Sequence, residues 1–562
     1  MAFKKDSILK CLVMVTLAVI ISNSPLSARD FVHIFTSKGV YETCEDLWFK
    51  CLFLNDSTFR LSDSPHTAYV EILNPSDSVV WKEKYPVVDG ECYGQIYVGD
   101  DWVTGEYRMY VNTASSIGLN DSTLTPKKLL IVRELPEAQA YLSDTSMAFE
   151  ELVDSIPFGK IKPLIISMEL DSTEYHIRSK VSLKIKVTDD NGVPIRASLT
   201  LSVFDHLYNY KPGDLDLLSQ CVAIQNLPER NFLGFEDVIL ADGPVVGYLK
   251  SQKKKNKLPL GNQYINVFDY SESIGNLNLV GTEDDGRFEI PMDMAASLGW
   301  DILMKPVSGK EMKPLLEFTD PFDAISGVRK KAKDRFYPVI RKKYDEIPED
   351  DTLDYKGRRT VRLDEIIVKG HAGKYPKRNK FLGYLDSIST LTGGAWICGC
   401  PAGGNTTFLN DFIPGYTHHP NGYGRPVKRG VPVKGKDYEL IKYSGGTNDD
   451  WVEDIRHIIY PGPKYSEEEL LRMNGLWKTK GYYPSHQFTM IDKDDILLGL
   501  EDNRNTLLWI PKGETDANGE LVVEFFTSDI KSRFIIRGFA IDSDDSSISV
   551  GVIDNKFVEV PL

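Results

Sequence analysis

From Val181 to Val187 the chain alternates apolar and polar residues without a break: Val181, Leu183, Ile185 and Val187 against Ser182, Lys184 and Lys186. Successive side chains of a strand point to opposite faces, so this stretch reads as a strand with one buried and one wet face. Asp190, Asn191 and Gly192 supply turn chemistry, and Leu199–Val203 alternates again. The two runs predict antiparallel neighbours of a sandwich. The same reading holds for 48–54, 69–73, 95–98 and 107–111 near the start, and for 521–526, 534–541 and 548–552 near the end.

Helix signals are sparse. Ser466, with Glu469 three residues on, forms a capping box that opens a short helix through Leu470, Leu471 and Met473. The chain has 562 residues, more than one core serves, so about three to five domains are expected. The fold class is therefore mainly β.

The first residues carry an address. Lys4, Lys5 and Lys10 precede an apolar run from Leu12 to Ile21, and Pro25–Ala28 ends in a small residue. That is the order of a secretory signal, cleaved near Ala28. The apolar run is shorter than the roughly 20 residues a spanning helix needs. Lys10 before Cys11 is wrong for lipid attachment. No later stretch is long and apolar, so no membrane-spanning segment is expected after cleavage. The balance of 66 Lys and Arg against 81 Asp and Glu gives a net charge of −15. That disfavours nucleic acid, whose phosphates need a basic face. Of seven cysteines, all but Cys11 would remain after export. That permits disulfides without making a disulfide scaffold. Cys51, within an apolar run, reads as a small core residue.

Three turns share one chemistry: 189–192, 284–288 and 516–519. A calcium loop would need a Glu six residues after the Gly. Ser198, Met292 and Phe525 stand there, so all three read as hairpin turns.

Several segments resemble known domains. Phe31–Tyr41 followed by Glu45–Lys50, then Tyr69–Pro75 and Gly105–Tyr110, resemble a macroglobulin-type sandwich of bacterial envelope proteins. Asp242–Gly247, the strand Tyr264–Phe268 and Thr282–Ile290 resemble a carboxypeptidase-regulatory-like sandwich, which carries no catalytic groups. Val361–Gly370, Arg425–Val433 and Glu453–Gly462 are similar, in order, to pieces of a TonB-dependent receptor plug. Arg429 stands where that plug has Asp, and Cys398–Pro420 replaces its Arg-Gly segment. The tail, Asn505–Pro511 through Asp529, again looks macroglobulin-like.

The resemblances imply an exported Gram-negative envelope protein. Its fold would be several antiparallel immunoglobulin-like or macroglobulin-like β-sandwiches with one small α/β plug-like domain. The expected division is a signal peptide (1–28), a macroglobulin-like sandwich (29–133) and a second sandwich with a helical tail (134–240). A regulatory-like sandwich (241–320), a charged linker (321–360), the plug-like domain (361–483) and a C-terminal sandwich (484–562) follow. A transporter in its own right fails on length, because too few residues follow the plug-like region to build a large barrel.

Cys398 and Cys400 with His418 and His419 form the most chemical-looking cluster. Zinc takes Cys and His in tetrahedral sets. A Cys-x-Cys pair is tighter than the usual spacing, and adjacent histidines point apart. These four remain weak metal candidates, and a Gly-rich surface loop is the plainer reading. Gly430–Lys436 has phosphate-loop spacing, but Asp437 takes the Ser/Thr place and Pro432 removes an amide. No Cys is followed two and three residues later by Glu-Gln, so no thioester trap is indicated. Neither a His-Glu-x-x-His helix nor a Gly-x-Ser-x-Gly elbow occurs.

No catalytic residue and no cofactor is designated. The expected function is a non-catalytic envelope scaffold or binding protein, in the periplasm or against the outer membrane, with an envelope or outer-membrane protein as partner. The alternatives are an exported hydrolase with an unrecognised site, or a macroglobulin-like protease-interacting protein without a thioester.

Overall fold

The computed structural model describes residues 30–63, 67–114, 126–138, 161–210, 216–225, 243–251, 258–269, 278–307, 313–336, 475–491, 501–542 and 549–561, with short segments between 395 and 472. The fold is mainly β. The chain divides into two compact units, residues 1–338 with 479–562, and residues 339–478.

The first unit opens with β1 (Asp30–Thr36), β2 (Val40–Glu42), β3 (Asp46–Asn55), β4 (Thr67–Leu73), β5 (Val79–Pro86), β6 (Glu91–Tyr97), β7 (Gly105–Asn112) and β8 (Lys127–Val132). They form two sheets, β1-β3-β6 and β2-β8-β7-β4-β5. Val32, Leu47, Phe49, Cys51 and Phe53 fill the core between them, with Val70, Ile72, Tyr107 and Met109 opposite. β3 is not half wet, however. Its even residues Trp48, Leu52 and Leu54 are also buried, in a second apolar layer.

That second layer explains the next region. β9 (Lys162–Pro163), β10 (Ile165–Leu170), β11 (Lys180–Thr188) and β12 (Ser198–Asp205) come from the middle of the chain. Four further strands come much later and are numbered below. Together they make one sandwich, so the sequence-based boundaries at 240 and 484 divide strands of a single domain. Strand pairing joins distant segments whenever their apolar faces match, and no local signal reports it.

The region 241–320 holds β13 (Val245–Ser251), β14 (Leu258–Pro259), β15 (Tyr264–Asp269), β16 (Asn278–Gly281), β17 (Arg287–Ile290), β18 (Asp301–Pro306) and β19 (Pro314–Phe318). One sheet buries Val245, Leu249, Phe288 and Ile290, the other Ile265, Val267, Ile302 and Met304. Helix α1 (Leu217–Gln225) precedes this region, and α2 (Met292–Leu298) lies within it. Residues 321–336, expected to start a helical or extended linker, form α3 (Pro321–Phe336).

In the second unit the backbone forms β20 (Ala395–Ile397), β21 (Thr406–Leu409), β22 (Pro426–Lys428), β23 (Asp437–Ser444) and β24 (Trp451–Ile459). β20 pairs β22, and β21-β23-β24 is an antiparallel sheet. The stretch 363–368, Val431 and the signal segment lie outside the described residues. β25 (Trp477–Lys480) precedes β26 (Thr506–Glu514), β27 (Glu520–Phe526), β28 (Arg533–Asp542) and β29 (Ser549–Glu559).

The shared sandwich has sheets β10-β11-β27 and β26-β12-β28-β29-β9. Its core sets Val181, Leu183, Ile185 and Val187 against Leu199, Leu201 and Val203. The alternation of β11 is therefore as expected, but its partner is not. β11 pairs β10 and β27, while β12 pairs β26 and β28 in the facing sheet. The turn after β11 is an arch between sheets and not a hairpin. The turns at 516–519 and 284–286 likewise join strands of different sheets. Asp189 Oδ1 accepts from the N–H of Asn191 (2.9 Å) and Val193 (2.7 Å). Asp516 Oδ1 accepts from those of Asn518 (2.9 Å) and Glu520 (2.8 Å). Each carboxylate holds its own turn, as Asx turns do. Gly519 takes φ +70° and presses on the Val187 carbonyl, a place and conformation that exclude a Cβ.

Candidate functional site

Chemistry-bearing groups concentrate at the seam where β1 and β3 face β12, β26 and β28. Phe31, Phe35, Trp48 and Leu52 pack there against Trp509, Phe539 and Ile541. Phe35 stacks on Trp509 with ring centres 5.8 Å apart. Charged groups at each end of this layer are buried with it.

One end is built around Lys38, in the turn between β1 and β2. Gly39 N–H donates to the Tyr208 carbonyl at 3.1 Å, and a Cβ on Gly39 would collide with the Tyr210 backbone. That close approach drives Lys38 into the seam, where its side chain is 1% exposed. Its Nζ lies 2.7 and 2.8 Å from the two Glu45 oxygens. The same Nζ donates to Asn505 Oδ1 at 2.7 Å, across 467 residues of sequence. Asn505 Nδ2 donates to Glu45 Oε2 at 3.3 Å, and Thr506 Oγ1 donates to Asn505 Oδ1 at 3.2 Å. The rings of Tyr208 and Tyr41 flank the ammonium at 4.4 and 5.1 Å. Burial pulls the Lys38 pKa below the usual lysine value against the opposing pull of Glu45. Glu42, bonded by Tyr208 Oη at 3.1 Å, is held above the usual carboxylate range by burial and by Glu45.

The other end is built around Lys50, on β3. Its fully buried side chain reaches Glu91 Oε1 at 2.8 Å, and Lys512 of β26 reaches Glu91 Oε2 at 3.0 Å. Burial lowers the Lys50 pKa as well. Among the described residues no carboxamide is hydrogen-bonded to this ammonium.

A third place is open to solvent. A cavity of about 250 Å³ lies between β5 and α3, lined by Glu71, Trp81, Lys82, Phe322 and Asp323 among others. Arg329 binds the buried Glu71, Lys82 binds Asp320 at 2.9 Å, and Phe322 stands edge-on to Tyr69. Burial raises the Glu71 pKa, partly offset by Arg329. Of the charges lining it, Glu71 and Lys82 are already paired, with Arg329 and Asp320.

Cys398, Cys400, His418 and His419 lie outside the described residues. Among the described residues no group of three His, Cys, Asp or Glu is arranged to hold a metal. Cys51 faces Cys92 across β3 and β6, both as buried free thiols whose pKa values burial pushes up. Sequence reasoning missed Lys38, Glu45 and Asn505 as a set. Only Lys38 and Glu45 are close in the chain, and a Lys seven residues before a Glu is no motif.

No protein-family profile and no curated protein matches the chain. Among solved structures, Escherichia coli alpha-2-macroglobulin activated by porcine elastase aligns at 8% identity and a TM-score of 0.25, over 95% of this chain and 44% of that one. Salmonella alpha-2-macroglobulin reacted with methylamine aligns at 9% and 0.24, over 95% and 39%. The Yersinia pseudotuberculosis adhesin InvE aligns at 9% and 0.13, over 53% and 61%. The chain spans less than half the length of these macroglobulins. Likeness at such scores carries no argument about activity.

Proposed function

We propose that this chain is an exported, non-catalytic scaffold of the cell envelope that works by holding a partner protein of an outer-membrane assembly. The seam carries the proposal. Its buried lysines are paired with carboxylates of their own sandwich, and Asn505 and Lys512 of the facing sandwich complete each pair, an arrangement that suits a rigid body more than a substrate cleft. The net charge of −15 and the signal-like first residues support an exported protein without a nucleic-acid partner. In this reading the segment 361–483 is the docking surface. No helix among the described residues is long and apolar enough to cross a membrane.

Affinity purification from cross-linked, detergent-solubilised envelopes tests this, with mass spectrometry of the partners and of the mature N-terminus. The expected result is a chain starting near Asp30 that co-purifies with an outer-membrane protein. Removing residues 371–450 should abolish that partner while the first unit stays folded. A chain that retains Met1, or a deletion that keeps every partner, overturns the proposal.

A further inference from the structure

The Lys38 end of the seam holds the reactants of an amide exchange: a buried primary amine, a carboxamide in contact with it, and a carboxylate touching both. We propose that Lys38 and Asn505 join covalently, through an isopeptide bond from Lys38 Nζ to Asn505 Cγ, formed by the folded chain with release of ammonia.

The balance is simple. The amine lone pair attacks Cγ, forming the Nζ–Cγ bond. The Cγ–Nδ2 bond then breaks, and Nδ2 leaves as ammonia after gaining one proton. Starting from the ammonium, Nζ gives up two protons: one is carried to Nδ2 and the other leaves with the ammonia as ammonium, so no oxidant, metal or cofactor enters. Glu45 is placed to carry the first. Its Oε2 lies 2.8 Å from Nζ and 3.3 Å from Nδ2, so one oxygen spans donor and leaving group. General acid–base transfer needs that hydrogen-bond reach.

Three further features favour the step. Nζ is already 2.7 Å from Oδ1, so a small rotation of the carboxamide turns Cγ onto the amine. Holding both groups in place replaces a collision between distant parts of the chain, which is where such unimolecular reactions gain most. Thr506 Oγ1, 3.2 Å from Oδ1, donates to the oxygen on which negative charge develops. The flanking Tyr41 and Tyr208 rings keep water from competing, and burial lowers the pKa of the amine towards its nucleophilic neutral form. Lys50 is the internal control: equally buried and paired to Glu91, it has no carboxamide hydrogen-bonded to its Nζ and stays free.

Intact mass of the full purified chain, reduced and denatured, decides the matter with a tryptic map. The expected chain is one ammonia lighter than its sequence. Its digest should contain a branched peptide joining the Lys38 and Asn505 segments, with no cleavage after Lys38 and normal cleavage after Lys50. On a reducing denaturing gel the looped chain should run faster than Asn505→Ala. Glu45→Gln should restore the full mass. A wild-type chain of full mass with Lys38 cleaved overturns the proposal. So does an ammonia loss without the branched peptide, which marks a cyclised asparagine. A Glu45→Gln chain that still carries the branch overturns the role of Glu45. The wild-type mass and map decide the bond even where a variant does not fold.

Discussion

The two ends of the seam differ by one side chain. At Lys50 a buried ammonium and Glu91 are completed by a second cation, Lys512. At Lys38 a buried ammonium and Glu45 are completed by the carboxamide of Asn505. The first is electrostatic: desolvating two charges costs several kcal/mol, which good geometry offsets in part. The second brings a nucleophile, an acyl group and a proton carrier together. Burial alone makes a structural pair, and the third partner decides whether the pair can react.

The largest effect should follow Lys38→Ala. It removes, on the proposal above, a link closing a loop of several hundred residues and leaves Glu45 without the group it faces. Closing a very long loop is worth about 5 kcal/mol, and the buried polar partner left behind adds about 1–3 kcal/mol. Urea unfolding of wild type and variant should show the midpoint falling further than for any other single change at the seam.

Lys50→Ala should cost less, about 3–5 kcal/mol, because no covalent link is lost. Replacing both partners, as Lys50→Met with Glu91→Leu, should recover much of that loss. Equal costs for Lys38→Ala and Lys50→Ala would erase the difference between the two ends.

Next comes α3. Glu71→Gln leaves the Arg329 guanidinium without its carboxylate in a mostly buried place. The expected loss is about 1–3 kcal/mol, with α3 amides exchanging hydrogen sooner than those of β4. Unchanged exchange would show that the pair does not hold the helix.

The smallest effect belongs to a tie nearer the surface. Arg178 Nε donates to Asp529 at 2.6 Å, and this bond holds the Asp529 carboxyl down to about 2. Its pKa lies below the unfolded value, so its stabilisation is complete above about pH 4 and fades as pH falls towards 2. Asp529→Asn should lower stability modestly at neutral pH and converge with wild type as pH falls towards 2, which flattens that acid limb of the stability curve. A variant curve parallel to wild type below pH 4 would assign the limb to other carboxylates.

The strands were legible where one face is wet. β11 alternates because Lys184 and Lys186 meet solvent while Leu183 and Ile185 meet the core. β3 and β28 were legible as strands but not as layers, since both of their faces are buried. The three Gly turns could be read as turns, yet an Asx turn reverses the chain identically whether the next strand pairs or crosses over. The seam was not legible, because its residues follow no spacing.

Local chemistry therefore determined what the chain can make: strands from two-residue periodicity, turns from Asp, Asn and Gly, and an acidic chain whose first residues read as an export address. The tertiary structure decided which strands share a sheet, that two regions about 300 residues apart form one sandwich, and that Lys38 meets Asn505. Periodicity and turn propensity act over a few residues. Burial acts between whichever apolar faces fit, whatever their separation in sequence, and a charge caught between them must find its partner there.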